Sequence, residues 1–286
     1  MGALYCALDC QGGQTVALRV FHSSLLIGTE RRDRLMQGAG AWASLKHERI
    51  ASVQDYGVDR GTAWLAMEPV VGRPLYPNTR ELCRILQTFL GICEAVQHAH
   101  ERGLVHEALN PERILVDEAG VPKVSDFRLA SDSLKDLLRD KYGVLSEKRE
   151  LRSMLPFVAP EQTLSSGPKA SPQTDIYALG VLLQWALTGL LPYETTGAVR
   201  ELLERIRYSA PCTGSLSRLP DGGRLQAIVG RCLEKETQAR YASVAALADE
   251  VGEYLAGAPA RSATHHPRRN RLLVFLGLNA REVDTG

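Results

Sequence analysis

The sequence predicts an α+β protein in which a small strand-rich part, residues 1–70, precedes a larger helical part, residues 71–256. Three observations support this class. Short apolar and β-branched runs, separated by turns that contain glycine, occupy the first part. Apolar residues with helical spacing follow from residue 78 onward. The segment 175–190 is apolar almost all round, as expected of a central buried helix.

The first part is expected to contain short strands and one helix. Strand patterns cover residues 4–8, 15–21, 50–56 and 63–68, with turns at 11–14 and 59–61. Residues 31–45 have helical spacing, which Gly38 and Gly40 weaken because glycine is a poor helix former.

The second part is expected to be mainly helical. A largely buried helix begins near residue 82 and ends at Gly103, and the central helix at 175–190 follows it. Shorter helical patterns cover residues 198–208, 225–233 and 244–255. Beyond Ala256 the chain is rich in alanine, proline, histidine and arginine, so residues 257–286 are predicted to form a disordered basic tail.

The composition is that of an ordinary globular protein. The chain of 286 residues is 44% hydrophobic and 23% charged, with a formal net charge of +1, which gives no indication of nucleic-acid or anionic-membrane binding. Its six cysteines are scattered and form no C-x-x-C pair, which favours reduced thiols over disulfides or a zinc site. No signal peptide and no apolar run of membrane-spanning length is present, so a cytoplasmic location is expected.

Several motifs occur in an order that is typical of one family. Residues 104–116, LVHEALNPERILV, resemble the catalytic loop H-R-D-L-x-x-x-N of protein kinases. TVALRV at 15–20 resembles the V-A-I-K strand, and MEPV at 67–70 resembles the hinge between lobes. DFR at 126–128 and APE at 159–161 resemble D-F-G and A-P-E, respectively.

Over about residues 2–255 the chain is therefore similar to bacterial serine/threonine protein kinases. The resemblance implies a bilobal kinase-like fold, with a small β-rich N-lobe and a large helical C-lobe. It identifies Gly2 with the third glycine of the glycine-rich loop, so that the first strand and part of that loop are missing. The true start of the protein is therefore expected to lie upstream of Met1.

The resemblance also shows where the family's chemistry would lie. The aspartate that accepts the substrate proton is replaced by Ala108, and the asparagine that holds magnesium is replaced by Arg113. The strand lysine of the family is replaced by Arg19, and the helix glutamate that pairs with this lysine is replaced by Gly38. A methyl group accepts no proton and a guanidinium repels a metal ion, so we expect no catalytic residue at position 108.

Other catalytic positions also depart from the family pattern. Asn110 replaces a lysine, and Met154 replaces a threonine after the activation loop. Glu107 replaces the arginine that grips a phosphate on that loop, so a phosphate there would be repelled. Arg128 takes the place of the D-F-G glycine, where it could occupy phosphate space or face solvent. Residues 131–153 are expected to form a solvated loop.

A nucleotide would contact several positions that the resemblance implies. These are Gly2, Leu4, Ala17, Arg19, Glu68, Val70, Leu115 and Asp126. Binding of ATP is expected to be weak, because few backbone N–H groups remain to hold its phosphates. Asp126 is the one remaining candidate magnesium ligand, but we favour a carboxylate satisfied by backbone N–H groups or by Arg113, because Arg113 removes the second ligand.

The residues that hold the family's fold together are mostly retained. The stack that links the lobes would consist of Val53, Trp42, Phe127 and His106. Asp175 is expected to bond the backbone of the catalytic loop, and Glu161 is expected to form a buried ion pair with Arg240.

The leading hypothesis is therefore a pseudokinase, an inactive kinase fold that acts by binding another protein, such as a kinase or a kinase substrate. One alternative is a slow serine/threonine kinase that uses Arg19 and Asp126. A second alternative is a nucleotide sensor without phosphoryl transfer, in which the hinge at residues 68–70 offers backbone groups to adenine.

Overall fold

A computed structural model describes residues 2–10, 12–21, 29–78, 81–129, 153–164 and 170–257. The strands are β1 (Gly2–Leu8), β2 (Thr15–Phe21), β3 (Val53–Asp59), β4 (Thr62–Met67), β5 (Arg73–Pro74), β6 (Ile114–Val116) and β7 (Pro122–Val124). The helices are α1 (Thr29–Ala43), α2 (Leu82–His100), α3 (Pro172–Thr188), α4 (Val199–Tyr208), α5 (Gly222–Cys232) and α6 (Val244–Gly257). Gln11, the loop segment 131–152 and the tail from residue 258 lie outside the described residues.

The first part of the chain folds into an antiparallel sheet with the strand order β1-β2-β4-β3. Its β3–β4 turn is tight, and Arg60 and Gly61 take positive φ angles of 46° and 80°. Helix α1 packs against β3. Trp42 of α1 is fully buried, and its indole Nε1 donates to the carbonyl oxygen of Ala51 at 2.9 Å. The apolar side of the helix therefore anchors the residues that lead into β3.

A smaller sheet, β5-β6-β7, connects the strand-rich part to the helices. The segment before β3 pairs with β7 through an isolated parallel bridge between Ile50 and Val124. Ala51 donates its N–H to the Val124 carbonyl at 2.9 Å, and the Val124 N–H donates to the main-chain carbonyl of Arg49 at 2.8 Å. Backbone hydrogen bonds thus fix the first part of the chain on the second, close to the residues of the candidate site.

Helix α3 is the centre of the helical part. Nearly all its residues from Thr174 to Leu187 are buried, and it ends at Gly189, whose φ of 73° is readily adopted by glycine. Gly180 lets α5 approach closely, because a Cβ at this position would come 2.4 Å from the Cβ of Cys232. The almost uniform apolarity of α3 is thus explained by neighbours on several sides.

The fold class predicted from the sequence is confirmed. Each predicted strand and helix in the described residues is present, with ends that differ by a few residues. The lobe boundary at residue 70 stays a prediction. Among the described residues, no helix has the length and apolar character that a membrane crossing requires.

Candidate functional site

The loop that precedes β6 is held in place by Asp175, a buried residue in the first turn of α3. Its Oδ2 accepts hydrogen bonds from the backbone N–H of His106 at 2.8 Å, and its Oδ1 accepts from that of Glu107 at 2.9 Å. His100 of α2 also contacts Oδ2 through Nε2 at 2.7 Å. The predicted bond between Asp175 and the loop backbone is therefore present, and it supports Glu107 at a positive φ of 69°.

Ala108 lies half-buried in this loop and packs against the hydrophobic core. Its carbonyl accepts from Nδ2 of Asn110 at 3.2 Å, while Oδ1 of Asn110 accepts from the backbone N–H of Glu112 at 2.9 Å. Asn110 thus caps the short 3-10 turn Pro111–Arg113. At the two positions where the family has a base and a lysine, this chain has a packing methyl group and a turn cap.

Asp126 forms an ion pair with Arg19 across the cleft. Arg19 Nη1 lies 2.8 Å from Asp126 Oδ2, and the two side chains are 17% and 4% exposed. Burial alone would raise the pKa of Asp126, but the guanidiniums of Arg19 and Arg113 outweigh it. The pKa therefore lies below its ordinary value, and the carboxylate stays ionised.

This geometry corrects the expected environment of Asp126. The carboxylate is bonded by Arg19 and not by backbone N–H groups, while its other oxygen, Oδ1, has no hydrogen-bond partner within the described ranges. Arg113, which was expected to pair with the carboxylate, donates from Nη1 to the main-chain carbonyl of Asp126 at 3.4 Å. Arg113 therefore acts on the carboxylate through its charge.

The surroundings of Asp126 do not fit a magnesium ion. Arg113 is 3% exposed, and its Nη2 contacts Sδ of Met154 at 3.7 Å, so a buried guanidinium stands where a neutral ligand would be needed. Arg19 already occupies Asp126 Oδ2. No group of three or more histidine, cysteine, aspartate or glutamate side chains suited to a metal ion occurs in the part of the chain that the structure describes.

Helix α1 brings a glycine to the position of the family's glutamate. A Cβ on Gly38 would lie 3.4 Å from the carbonyl oxygen of Arg128 and 3.6 Å from the side chain of Leu129. The helix backbone therefore runs directly beside the segment that follows Asp126. Gly38 offers no carboxylate to Arg19, and the guanidinium of Arg19 bonds Asp126.

Glu107 and Arg128 form a second ion pair beside the loop. Arg128 Nε lies 3.4 Å from Glu107 Oε1, and Arg128 is about half exposed. Gln162 donates from Nε2 to the Glu107 carbonyl at 2.7 Å, and its Oε1 accepts from the Ala159 N–H at 3.0 Å. The sequence left the direction of Arg128 open, and opposite charge at positions 107 and 128 was the signal that could have indicated this pair.

His106 and Phe127 contact each other in the core between the two parts. Their ring centroids are 4.5 Å apart, and Val53 and Trp42, the other predicted members of the stack, are buried as well. His106 Nε2 contacts the Ser125 carbonyl at 2.9 Å. Burial lowers the pKa of His106 to about 4, against the attraction of Asp175, so the imidazole is neutral at pH 7.

The predicted ion pair between Glu161 and Arg240 is present. Arg240 donates from Nη1 and Nη2 to the two carboxylate oxygens of Glu161, at 2.9 Å each, and Thr174 Oγ1 donates to Glu161 at 2.9 Å. Burial raises the pKa of Glu161, but these hydrogen bonds, mainly that of Arg240, bring it below its ordinary value. This pair fixes the A-P-E segment on the helical part.

The other positions expected around a nucleotide lie in the two sheets and between them. Gly2 pairs with Phe21, and a Cβ on Gly2 would come 2.2 Å from the Val20 carbonyl oxygen, so the close approach of β1 and β2 requires glycine there. Leu4 and Ala17 lie in the same strand pair, whereas Leu115 lies in β6.

The hinge residues follow β4. Val70 is partly buried against the core. The Glu68 carboxylate accepts from Lys123 Nζ at 2.6 Å and from the Ser52 N–H at 3.0 Å. Glu68 thus fastens the hinge to β7. Of the predicted nucleotide positions in the described residues, Arg19 and Asp126 are the two whose side chains bond each other.

Comparison with known proteins connects this geometry to a family. The protein kinase domain family matches residues 1–251. The chain is 32% identical to serine/threonine-protein kinase PknA of Mycobacterium tuberculosis over 281 residues, which cover 94% of this chain and 62% of PknA. It is 30% identical to Pkn1 of Myxococcus xanthus over 263 residues, 90% of this chain and 37% of Pkn1. The chain spans less than two thirds of either relative.

Solved structures agree on the fold. The kinase domain of Mycobacterium tuberculosis PknI superposes with a TM-score of 0.69 at 24% identity, covering 90% of this chain and 91% of that chain. Rad53 in complex with AMP-PNP superposes with a TM-score of 0.65 at 20% identity, covering 86% of this chain and 60% of that chain. The chain belongs to the protein kinase family and is related to bacterial serine/threonine kinases.

Proposed function

We propose that this chain is a pseudokinase, a kinase-fold module that does not transfer phosphate and that acts by binding another protein. The observation that carries the proposal is the 2.8 Å ion pair between Arg19 and Asp126. In an active kinase the equivalent carboxylate binds magnesium and the strand cation pairs with phosphates and a helix glutamate. Here the two groups bond each other.

The neighbouring positions support the same conclusion. Ala108 has no group that accepts a proton, and a lost general base alone slows a reaction by about 10²–10⁴-fold. Buried Arg113 disfavours the metal ion, and Gly38 supplies no carboxylate. Because these losses concern the base, the metal ligand and the glutamate partner of the strand cation at once, a slow kinase is the less favoured alternative.

The scaffold, by contrast, is intact around the site. Asp175 holds the loop, Glu161 and Arg240 form their ion pair, and His106 packs on Phe127. A folded kinase surface can dock a kinase or a kinase substrate and shift its conformational equilibrium if it binds one state more tightly. We therefore propose a kinase or its substrate protein as the partner.

Phosphoryl transfer from γ-labelled ATP, with magnesium and then manganese, tests the absence of activity. We expect no label in the chain or in a generic substrate above the level of the Asp126→Ala variant. Label that the wild-type chain incorporates and Asp126→Ala does not would overturn the proposal. The binding role is tested separately, by the change in phosphorylation rate when the chain is titrated into active serine/threonine kinases from the same cell.

A further inference from the structure

The segment that leads from the hinge to α2 is rich in proline. Residues 69–77 have the sequence PVVGRPLYP. Pro74 and Pro77 are three residues apart, with Arg73 directly before the first and Tyr76 directly before the second. Proline fixes its own φ at about −65° and biases the residue before it toward extended angles. These four residues therefore favour the polyproline II conformation.

One edge of this segment faces the protein. A polyproline II helix has about three residues per turn, so residues that are three apart share an edge. Leu75 is buried, and a Cβ on Gly72 would come 2.9 Å from the main-chain carbonyl oxygen of Val116 in β6. Gly72 and Leu75 are three apart and therefore form the inner edge.

The other two edges face outward. Arg73 and Pro74 are both exposed although they are adjacent, which differs from the alternating sides of a half-buried strand. Tyr76 is 58% exposed, and Pro77 is partly exposed. The proline ridge, defined here as Arg73, Pro74, Tyr76 and Pro77, thus lies on the surface with a repeat of three residues.

Hydrogen bonds hold the segment in place below the ridge. Leu75 donates its N–H to the carbonyl of Ile114 at 2.8 Å, and Asn78 donates its N–H to the carbonyl of Ala186 at 3.0 Å. Strand β5 is an edge strand of its sheet, which is where strands tolerate proline. Because the ridge is already ordered, a partner that binds it would lose little of its binding energy to conformational entropy.

Arg73 gives the ridge a positive charge. Within the described part of the chain, its exposed side chain has no hydrogen bond or ion pair. A guanidinium can form two parallel hydrogen bonds with a carboxylate, so the complementary group on a partner is an aspartate or a glutamate. The complement of the exposed prolines is a groove lined by aromatic side chains, which is the surface that recognises polyproline II.

We propose that the proline ridge binds a protein domain that holds polyproline II in an aromatic-lined groove, as SH3 domains do, and that has a carboxylate beside this groove. Pro74 and Pro77 enter the groove, and Arg73 pairs with the carboxylate. The inference rests on the proposed binding role, for which it names a surface and the kind of partner.

Calorimetric titration of the full chain into purified SH3 domains with an acidic residue beside the groove tests the proposal. We expect binding that is lost when an aromatic residue of the groove is replaced by alanine, because the prolines then lack their contact. Absence of binding to all of these domains at submillimolar chain would overturn the inference. Binding that survives the loss of the groove aromatic would overturn it as well.

Substitutions in the ridge test which residues make the contact. Pro77→Ala should weaken binding by about tenfold, since it removes one of the two prolines from the groove. Arg73→Glu should weaken it at least as much, because it sets a like charge against the carboxylate. The matched controls Pro211→Ala and Arg200→Glu, which lie away from the ridge, should leave binding unchanged.

The fold is checked by thermal unfolding of each variant. If Pro77→Ala lowers the transition temperature, Arg73→Glu decides, because its side chain is exposed and supports no described contact. Affinities of the ridge variants equal to that of the wild type would overturn the inference.

Failure of this inference and failure of the proposed function give different results. A chain that binds no SH3 domain but changes the phosphorylation rate of a kinase keeps its binding role through another surface. Transfer of label from γ-labelled ATP would contradict the proposed function whether or not the ridge binds a partner.

Discussion

Arg19 and Asp126 are separated by 107 residues in sequence, yet their side chains are in direct contact. The sequence predicted that most catalytic positions of the family are altered and that Asp126 is retained, but it did not predict that Arg19 would bond Asp126. Arg113, which lies 13 residues before Asp126 in sequence, was the expected partner of this carboxylate. The outcome depends on side-chain directions across two sheets, and on Gly38 leaving Arg19 without a helix partner, which no local pattern shows.

Restoring the missing aspartate alone is not expected to restore activity. In the Ala108→Asp variant, Arg113 still disfavours the metal ion and Arg19 still occupies Asp126, so a base would have no aligned phosphate to act on. Transfer of label from γ-labelled ATP is the measurement, with thermal unfolding as a check of the fold. If Ala108→Asp incorporated more label than the double variant that carries both Ala108→Asp and Asp126→Ala, this prediction would be contradicted.

Buried His106 should make the protein sensitive to mild acid. Its pKa in the folded protein is about 4, below the ordinary 6.5, so the unfolded chain takes up a proton first as pH falls. The free energy of unfolding is therefore unaffected near pH 7 and decreases from about pH 6.5 down to 4, by about 3 kcal/mol in total.

The variant His106→Phe separates this effect from those of other groups. It retains a ring against Phe127 and removes the titrating imidazole, so the slope of stability between pH 6.5 and 4 should decrease. Urea denaturation at several pH values measures the slope. An unchanged slope in the variant would show that another group causes the acid sensitivity.

The secondary-structure elements were the most predictable level. Strand alternation and helical spacing are local, and Gly103, at a positive φ, follows the end of α2 as the sequence indicated. The central helix, predicted to reach residue 190, ends at Thr188 before Gly189. The apolar surface of α3 also predicted burial on several sides. What the pattern did not show is which helix approaches α3 most closely, since that depends on packing between distant segments.

Gly180 sets the distance between α3 and α5. Gly180→Ala would place a methyl group 2.4 Å from the Cβ of Cys232, which has no flexible end that could move aside. We expect overpacking to lower the free energy of unfolding by about 1–3 kcal/mol. Gly230→Ala in α5 is the control, because no atom lies within 4 Å and the helix should gain about 0.5–1 kcal/mol. Equal effects of the two variants in urea denaturation would contradict this role.

At the scale of the whole molecule, the ion pair of Arg19 and Asp126 joins the four-stranded sheet to the helical part. Its loss in Arg19→Met should raise hydrogen exchange in β2 and in residues 125–129, while central α3 stays protected. The exposed variant Arg200→Met should leave both regions unchanged. Hydrogen-exchange rates in these regions that are the same in the wild type and in Arg19→Met would show that the pair does not hold the two parts together.

The bilobal arrangement itself was predictable from the sequence, because it depends on core positions that this chain retains, such as Asp175 and Glu161. The contacts among the polar side chains around Asp126 were not predictable, because the core does not constrain them. Retention of the fold is therefore compatible with the proposed loss of catalysis.

The carboxylate of Glu107, paired with Arg128 beside the loop, has a consequence for how the protein can be controlled. A phosphate beside this loop would meet a carboxylate paired with a guanidinium, where the family pattern has an arginine. The guanidinium of Arg128 is already engaged by Glu107, so a phosphate at this position would have to compete with that carboxylate.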